Sequence, residues 1–105
     1  MTEIFRIKRG DTSPAIRVAL EPATIDLTGA TVAFQMRRRR GALVVDSAAV
    51  VESPLPPIVR YDWADGDTAH DGPFEAEFRV TFADGTTETF PNTKFISVVI
   101  GEDIR

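Results

Sequence analysis

The sequence predicts an all-β protein, an antiparallel β-sandwich of about seven or eight short strands. Apolar and polar residues alternate with a period of two in several segments, and turn signals recur between these segments at fairly even spacing. No segment has the pattern of a convincing amphipathic helix. The 105 residues fit one domain, residues 1–105, near the usual size of a folded unit.

The clearest strand signal covers residues 74–82, where every second residue is apolar and the residues between are polar or charged. Such alternation predicts a strand with one face in the core and one in water. Shorter versions comprise Phe5 and Ile7; Ile16, Val18 and Leu20; Val32, Phe34 and Met36; and Val59, Tyr61 and Trp63. We expect Phe34, Phe78, Val80 and Val18 to be buried, because they sit centrally on the apolar parity.

Two further segments, residues 43–51 and 95–100, are apolar on both parities. Their β-branched residues favour strands, although residues 46–52 are also compatible with one helical turn. If Ile96, Val98 and Ile100 fill the core, Phe95 and Val99 need another cover. We therefore expect an apolar patch that meets a neighbouring protein, with cover by the chain's own loops as the alternative.

Glycine and proline mark the turns. The signals are Thr28-Gly29, Arg40-Gly41, Asp65-Gly66, Asp71-Gly72-Pro73 and Asp84-Gly85, with a break at Pro54, Pro56 and Pro57. Asp84-Gly85 predicts a hairpin. A two-residue turn there would place Phe90 opposite Arg79 and facing outward, so a longer turn, a bulge or a docked Phe90 remain as alternatives.

Charge and composition exclude several classes of protein. The net charge of −4 argues against nucleic acid as the main partner, since phosphate binding usually requires a basic surplus. There is no cysteine for a disulfide or a thiolate metal site, and no apolar run approaches the ~20 residues that span a bilayer. We expect a soluble protein made in the cytoplasm, with no membrane partner, no nucleic-acid partner and no small-molecule substrate.

The acidic segment 62–72 is the densest polar stretch, and Asp65 and Asp67 have the alternate spacing found in calcium loops. It lacks the rest of that pattern, so a pair of turns with aspartates bonding the backbone is the favoured interpretation. We expect no calcium requirement, although cation binding stays open. With His70 as the only histidine and no nucleophile-elbow serine, we assign no catalytic, cofactor or metal-ligating residue.

Residues 37–40 are four consecutive arginines that follow a predicted strand and precede a glycine. A solvated hairpin tip is favoured over an anion site, because no aromatic residues interleave the run. The predicted interface comprises Phe95, Val99, Phe90, Arg38, Arg39 and Arg40.

The order of these features resembles the N-terminal domain of the baseplate upper protein of phages of Gram-positive bacteria, and related tail or neck modules. The resemblance rests on Lys8-Arg9-Gly10-Asp11-Thr12-Ser13-Pro14; on residues 25–37; on residues 61–68 with Gly72, Phe74 and Glu77; and on residues 81–85 with Phe90-Pro91. It implies an immunoglobulin-like sandwich that docks other proteins, and it implies no catalytic residues.

From this resemblance we expect a non-enzymatic structural protein of a bacteriophage or phage-like particle, made in the bacterial cytoplasm and located in the virion or phage-like particle. Its position could be tail, baseplate, neck or capsid surface. Its partners would be other virion structural proteins and further copies of itself. The alternative is a carbohydrate-binding module for host attachment, with Trp63, Tyr61, Phe90 and Phe95 as candidate exposed aromatics.

Overall fold

The computed structural model describes residues 4–104, and this part of the chain forms eight strands joined by turns, with no helix. None of it, therefore, is a helix long and apolar enough to cross a membrane. The strands are β1 (Ile4–Lys8), β2 (Ile16–Ala19), β3 (Thr31–Arg38), β4 (Leu43–Ser53), β5 (Ile58–Tyr61), β6 (Gly72–Thr81), β7 (Thr87–Phe90) and β8 (Ile96–Gly101).

The strands are ordered β1-β8-β6-β3-β4-β5-β2, and β7 also pairs with β6, next to β8 along the same edge. The first sheet consists of β1, β8, β6, β3 and the first half of β4, with β7 beside β6. The second half of β4 forms a second sheet with β5 and β2. The predicted all-β sandwich is confirmed. One pair departs from the antiparallel rule, because β1 lies parallel to β8 with Ile4 opposite Ser97.

Strand β4 belongs to both sheets and leaves the apolar residues of one parity exposed. Its first half pairs with β3 as far as Ala49, and its second half pairs with β5 from Val50 onward. One parity faces the core in both sheets, since Val45 is buried and Ala49 and Val51 pack against the core. The apolar residues of the other parity, Val44, Ala48 and Val50, are exposed. The helical turn considered for residues 46–52 is not formed.

The core confirms the predicted parity of the clearest strands. Phe34, Phe78 and Val80 have no exposed surface. Val18 was also expected to be buried but is only half-buried, because β2 is the last strand of its sheet and pairs with β5 alone. The fully buried set also includes Ile16, Leu27, Met36, Val59, Val98 and Ile100.

The β6–β7 hairpin has a longer loop than Asp84-Gly85 suggests. Phe82 donates its backbone N–H to the carbonyl of Thr86 at 2.8 Å, so three residues, 83–85, make the turn. Gly85 has φ of 89°, the left-handed conformation that closes three-residue hairpin loops. The extra residue places Phe90 opposite Phe78, facing the core.

Candidate functional site

The four arginines lie where β3 ends and turns into β4, as the sequence predicted. The Gly41 N–H donates to the Arg38 carbonyl at 2.7 Å, and Arg40 has φ of 59°. A Cβ at residue 41 would lie 3.0 Å from the Arg38 Cβ, so a glycine suits this tight turn. The Arg39 N–H also donates to the Pro73 carbonyl at 3.4 Å, which holds the turn against the start of β6.

Arg37 is held on the outer face of the first sheet. Its Nε and Nη2 both lie 3.1 Å from Oε1 of Glu75, the residue opposite it on β6. Its Cζ lies 4.8 Å from the centroid of the Phe95 ring, a cation–π distance. Arg37 is thus engaged within the chain and covers part of Phe95.

The next three arginines extend further into solvent. Arg38 places its Cζ 5.5 Å from the Phe74 ring centroid, and Arg39 and Arg40 are fully in the turn. Within residues 4–104, none of these three forms an ion pair. The tip therefore carries about three positive charges that the described fold does not neutralise.

Two exposed aliphatic side chains follow directly after this turn. Leu43 is 53% exposed and Val44 is 45% exposed. Val44 is the extra residue of a β-bulge, because Arg37 pairs with Leu43 while Met36 pairs with Val45. We refer to Arg38, Arg39, Arg40, Leu43 and Val44 together as the arginine tip.

The other predicted interface residues are placed differently. Phe90 is buried at 3% exposure, so it belongs to the core and is not available to a partner. Phe95 and Val99 are half-buried. Phe95 lies beside the arginine tip through Arg37, whereas Val99 lies between its neighbours Arg6 and Pro73 on adjacent strands. A docking role for Phe95 and Val99 stays a prediction.

A groove of about 560 Å³ lies between β2 and the segment that joins β7 to β8. Residues 18–21 line one side and residues 90–96 line the other, with Glu21 and Lys94 as its charged members. These lining residues include neither a cluster of charges of one sign nor a cluster of nucleophilic side chains, so they indicate no particular ligand.

The acidic segment 62–72 forms turns held by its own aspartates. Asp67 accepts hydrogen bonds from the Tyr61 hydroxyl and, at 2.9 Å, from the Ala64 N–H. Burial, followed by this bond to Asp67, raises the pKa of Tyr61 to about 12. Asp62 pairs with Arg60 at 3.0 Å. These contacts match the predicted turns, and the expectation of no calcium requirement stays a prediction.

His70 is exposed at the end of this segment. Across residues 4–104, no group of three or more histidine, cysteine, aspartate or glutamate side chains is arranged to hold a metal ion. The donor chemistry of the described part of the chain therefore offers no metal centre from which to argue a function.

No protein-family model matches the chain, and no curated protein matches it. Among solved structures, it is similar to the crystal structure of CopC from Methylosinus trichosporium OB3b, with a TM-score of 0.58 and 12% sequence identity. The match covers 99% of this chain and 89% of that one. At this identity the likeness shows the fold, and it gives no indication of an enzyme.

This likeness contradicts the expected phage structural protein and its location in a virion. The similarity that covers nearly the whole chain is to CopC, and none of the comparisons points to a phage component. The resemblance to baseplate domains is not tested by these comparisons and stays a prediction.

The carbohydrate-binding alternative fails on the structure as well. Such a site needs exposed aromatic rings, but Trp63, Tyr61 and Phe90 are each at most 5% exposed. Phe95 is half-buried, with the Arg37 guanidinium over its ring. No aromatic platform for a sugar ring remains at these four positions.

Sequence reasoning found the arginines but missed the aliphatic half of the tip. Leu43 and Val44 belong to a segment whose apolar residues on both parities were a recognisable signal. The bulge that exposes Val44 has no mark in the sequence.

Proposed function

We propose that this chain is a non-enzymatic docking domain that binds an acidic segment of a partner protein at the arginine tip. The observation that carries the proposal is a set of three arginines that form no ion pair with any residue from 4 to 104. They lie beside Leu43 and Val44, two aliphatic side chains that are about half exposed. Arginine is enriched in protein interfaces, where its planar group binds carboxylates in a bidentate manner.

The surroundings of the tip support a rigid binding surface. The turn is held by the Gly41 and Arg39 backbone bonds, and the Arg38 guanidinium lies over the Phe74 ring. A surface already ordered loses less conformational entropy when a partner binds, which favours affinity. Leu43 and Val44 add apolar area that a partner can remove from water.

The net charge of the whole chain also favours binding of an acidic partner at the arginine tip rather than elsewhere on the surface. With a net charge of −4, the protein repels an acidic partner over most of its surface but attracts it at the tip. Complementary charge of this kind steers encounter and fixes orientation. The tip therefore favours a carboxylate-bearing peptide segment.

The test is fluorescence anisotropy with a labelled extended peptide that carries two adjacent aspartates followed by small apolar residues. A matched peptide has asparagine in place of each aspartate. We expect the acidic peptide to bind and the asparagine peptide to bind about tenfold more weakly or not at all. Added salt should weaken binding, because exposed charge pairs are screened.

The variant for this test is Arg39→Glu with Arg40→Glu, which should reduce affinity for the acidic peptide by about tenfold or more. Arg6→Glu is the matched control, since Arg6 is an exposed arginine of β1, which lies at the opposite end of the first sheet from β4. The proposal is wrong if the control weakens binding as much as the tip variant. It is equally wrong if a single-stranded oligonucleotide binds the tip more tightly than the acidic peptide.

A further inference from the structure

We infer that the partner segment binds as an added strand along the free edge of β4, next to the arginine tip. This inference rests on the proposed function, because it names how the same site holds its acidic partner. Strand addition supplies affinity from backbone hydrogen bonds and specificity from alternate side chains.

The free edge follows from the strand order. β3 and β5 flank β4 on opposite sides, but β5 pairs with it only from Val50 onward. β3 pairs with it from Leu43 to Ala49. In the described part of the chain, the side of β4 that faces away from β3 therefore has no strand along residues 43–49.

The edge is regular where a strand would add. Beyond the bulge at Val44, residues 45–49 pair with β3 without interruption. Alternate residues of an antiparallel edge strand direct their N–H and C=O groups away from their partner, toward an incoming strand. Side chains of a strand stand roughly perpendicular to the sheet, so those of residues 45–49 do not obstruct a backbone that approaches within the plane of the sheet.

Charges along the edge define the chemistry of the occupant. Arg39 and Arg40 stand at the end of the edge where β4 begins, and they favour carboxylates there. Asp46 is exposed further along and accepts a weak bond from Gln35 at 3.4 Å, so it disfavours a carboxylate opposite it. The occupant is an extended segment with acidic residues at one end only and uncharged residues over the remaining positions.

The same features explain why the free edge is compatible with a soluble chain. Bulges and charged side chains are the means by which exposed edges avoid indiscriminate pairing. Here the bulge at Val44, the arginines and Asp46 leave only about five residues, roughly 17 Å of strand, open to a partner. The edge is thus short and selective.

The experiment repeats the anisotropy measurement with acidic peptides that are N-methylated at alternate residues. Methylation removes a backbone donor and leaves the charges unchanged. We expect one of the two alternate sets to lose binding by about tenfold or more and the other set to be tolerated, because only one set faces β4. Hydrogen exchange in the complex should show new protection at alternate amides of residues 45–49.

The outcomes separate this inference from the proposed function. If both methylated sets bind as well as the parent peptide and Arg39→Glu with Arg40→Glu still abolishes binding, strand addition is wrong and docking at the tip stands. If the unmodified acidic peptide does not bind, both fail. If a second copy of the chain occupies the edge, light scattering shows a dimer that the peptide does not dissociate, and the inference is overturned.

Discussion

The rings of Phe34 and Tyr61 stack with their centroids 4.4 Å apart and their planes 10° from parallel. Phe34 lies on β3 in the first sheet and Tyr61 on β5 in the second, so this stack joins the two layers. Trp63 meets both rings edge-on at 5.5 Å, and Phe78 lies 5.1 Å from Phe34. The sandwich is thus centred on an aromatic cluster with one ring each from β3, β5 and β6, together with Trp63, which lies two residues after the end of β5.

Replacing a ring of this cluster should be costly. Phe78→Ala removes a side chain with no exposed surface and leaves a cavity against Phe34, so we expect a loss of about 3–5 kcal/mol in the free energy of unfolding. Urea denaturation measures this loss. Phe82→Ala is the control, because Phe82 only borders the core and should cost clearly less. Equal stability of Phe78→Ala and the parent would show that β6 has been assigned the wrong buried face.

The ionisation of Tyr61 offers a second test, since it is the one tyrosine of the chain. Burial and the bond to Asp67 raise its pKa to about 12, compared with an ordinary value near 10. Ultraviolet absorbance of tyrosinate should therefore show a midpoint near 12, with circular dichroism on the same samples to verify folding. Asp67→Asn should lower the midpoint without returning it to 10, because burial remains.

The sign of the linked stability follows from the raised pKa. The folded state holds the Tyr61 proton more tightly than the unfolded state, so this contribution is complete below about pH 10. It is lost as the pH rises from about 10 toward 12. A folded protein whose tyrosine titrates at the ordinary value would contradict the observed environment of the hydroxyl.

Local alternation was enough to predict most of the core, because each side chain of a strand faces the layer that its parity dictates. Phe34, Phe78 and Val80 follow that rule. Val18 does not follow it fully, because its burial depends on whether another strand lies beyond β2. The order of strands in a sheet depends on pairing between distant segments, which period-two alternation does not encode.

The candidate site shows the same division. The position of the arginines at a hairpin tip could be predicted from a charged run between a strand and a glycine. The free edge of β4 could not be predicted from the sequence, because it exists only since β5 pairs with the second half of that strand and not with the first. The predicted phage role was wrong: it depended on resemblance of short motifs, whereas the similarity that covers nearly the whole chain is to CopC.

The β6–β7 loop allows a direct test of how register is fixed. Deleting Ala83 leaves Asp84-Gly85, a dipeptide that favours a two-residue turn. Such a turn moves the pairing by one residue and places Phe90 opposite Arg79, on the outer face. The deletion variant must either lose Phe90 from the core or keep the register with a strained loop.

In both cases we expect the Ala83 deletion to lower the free energy of unfolding by about 2–4 kcal/mol, comparable to removing a buried aromatic side chain. Urea denaturation measures the loss, and nuclear Overhauser contacts between Phe78 and Phe90 report whether the two rings still face each other. Ala83→Gly is the matched control, because it keeps the loop length and should change stability by less than about 1 kcal/mol. If the deletion is as stable as this control and retains the Phe78–Phe90 contact, the three-residue turn does not determine the register. The pairing must then be set by the burial of Phe90 itself, which is 3% exposed.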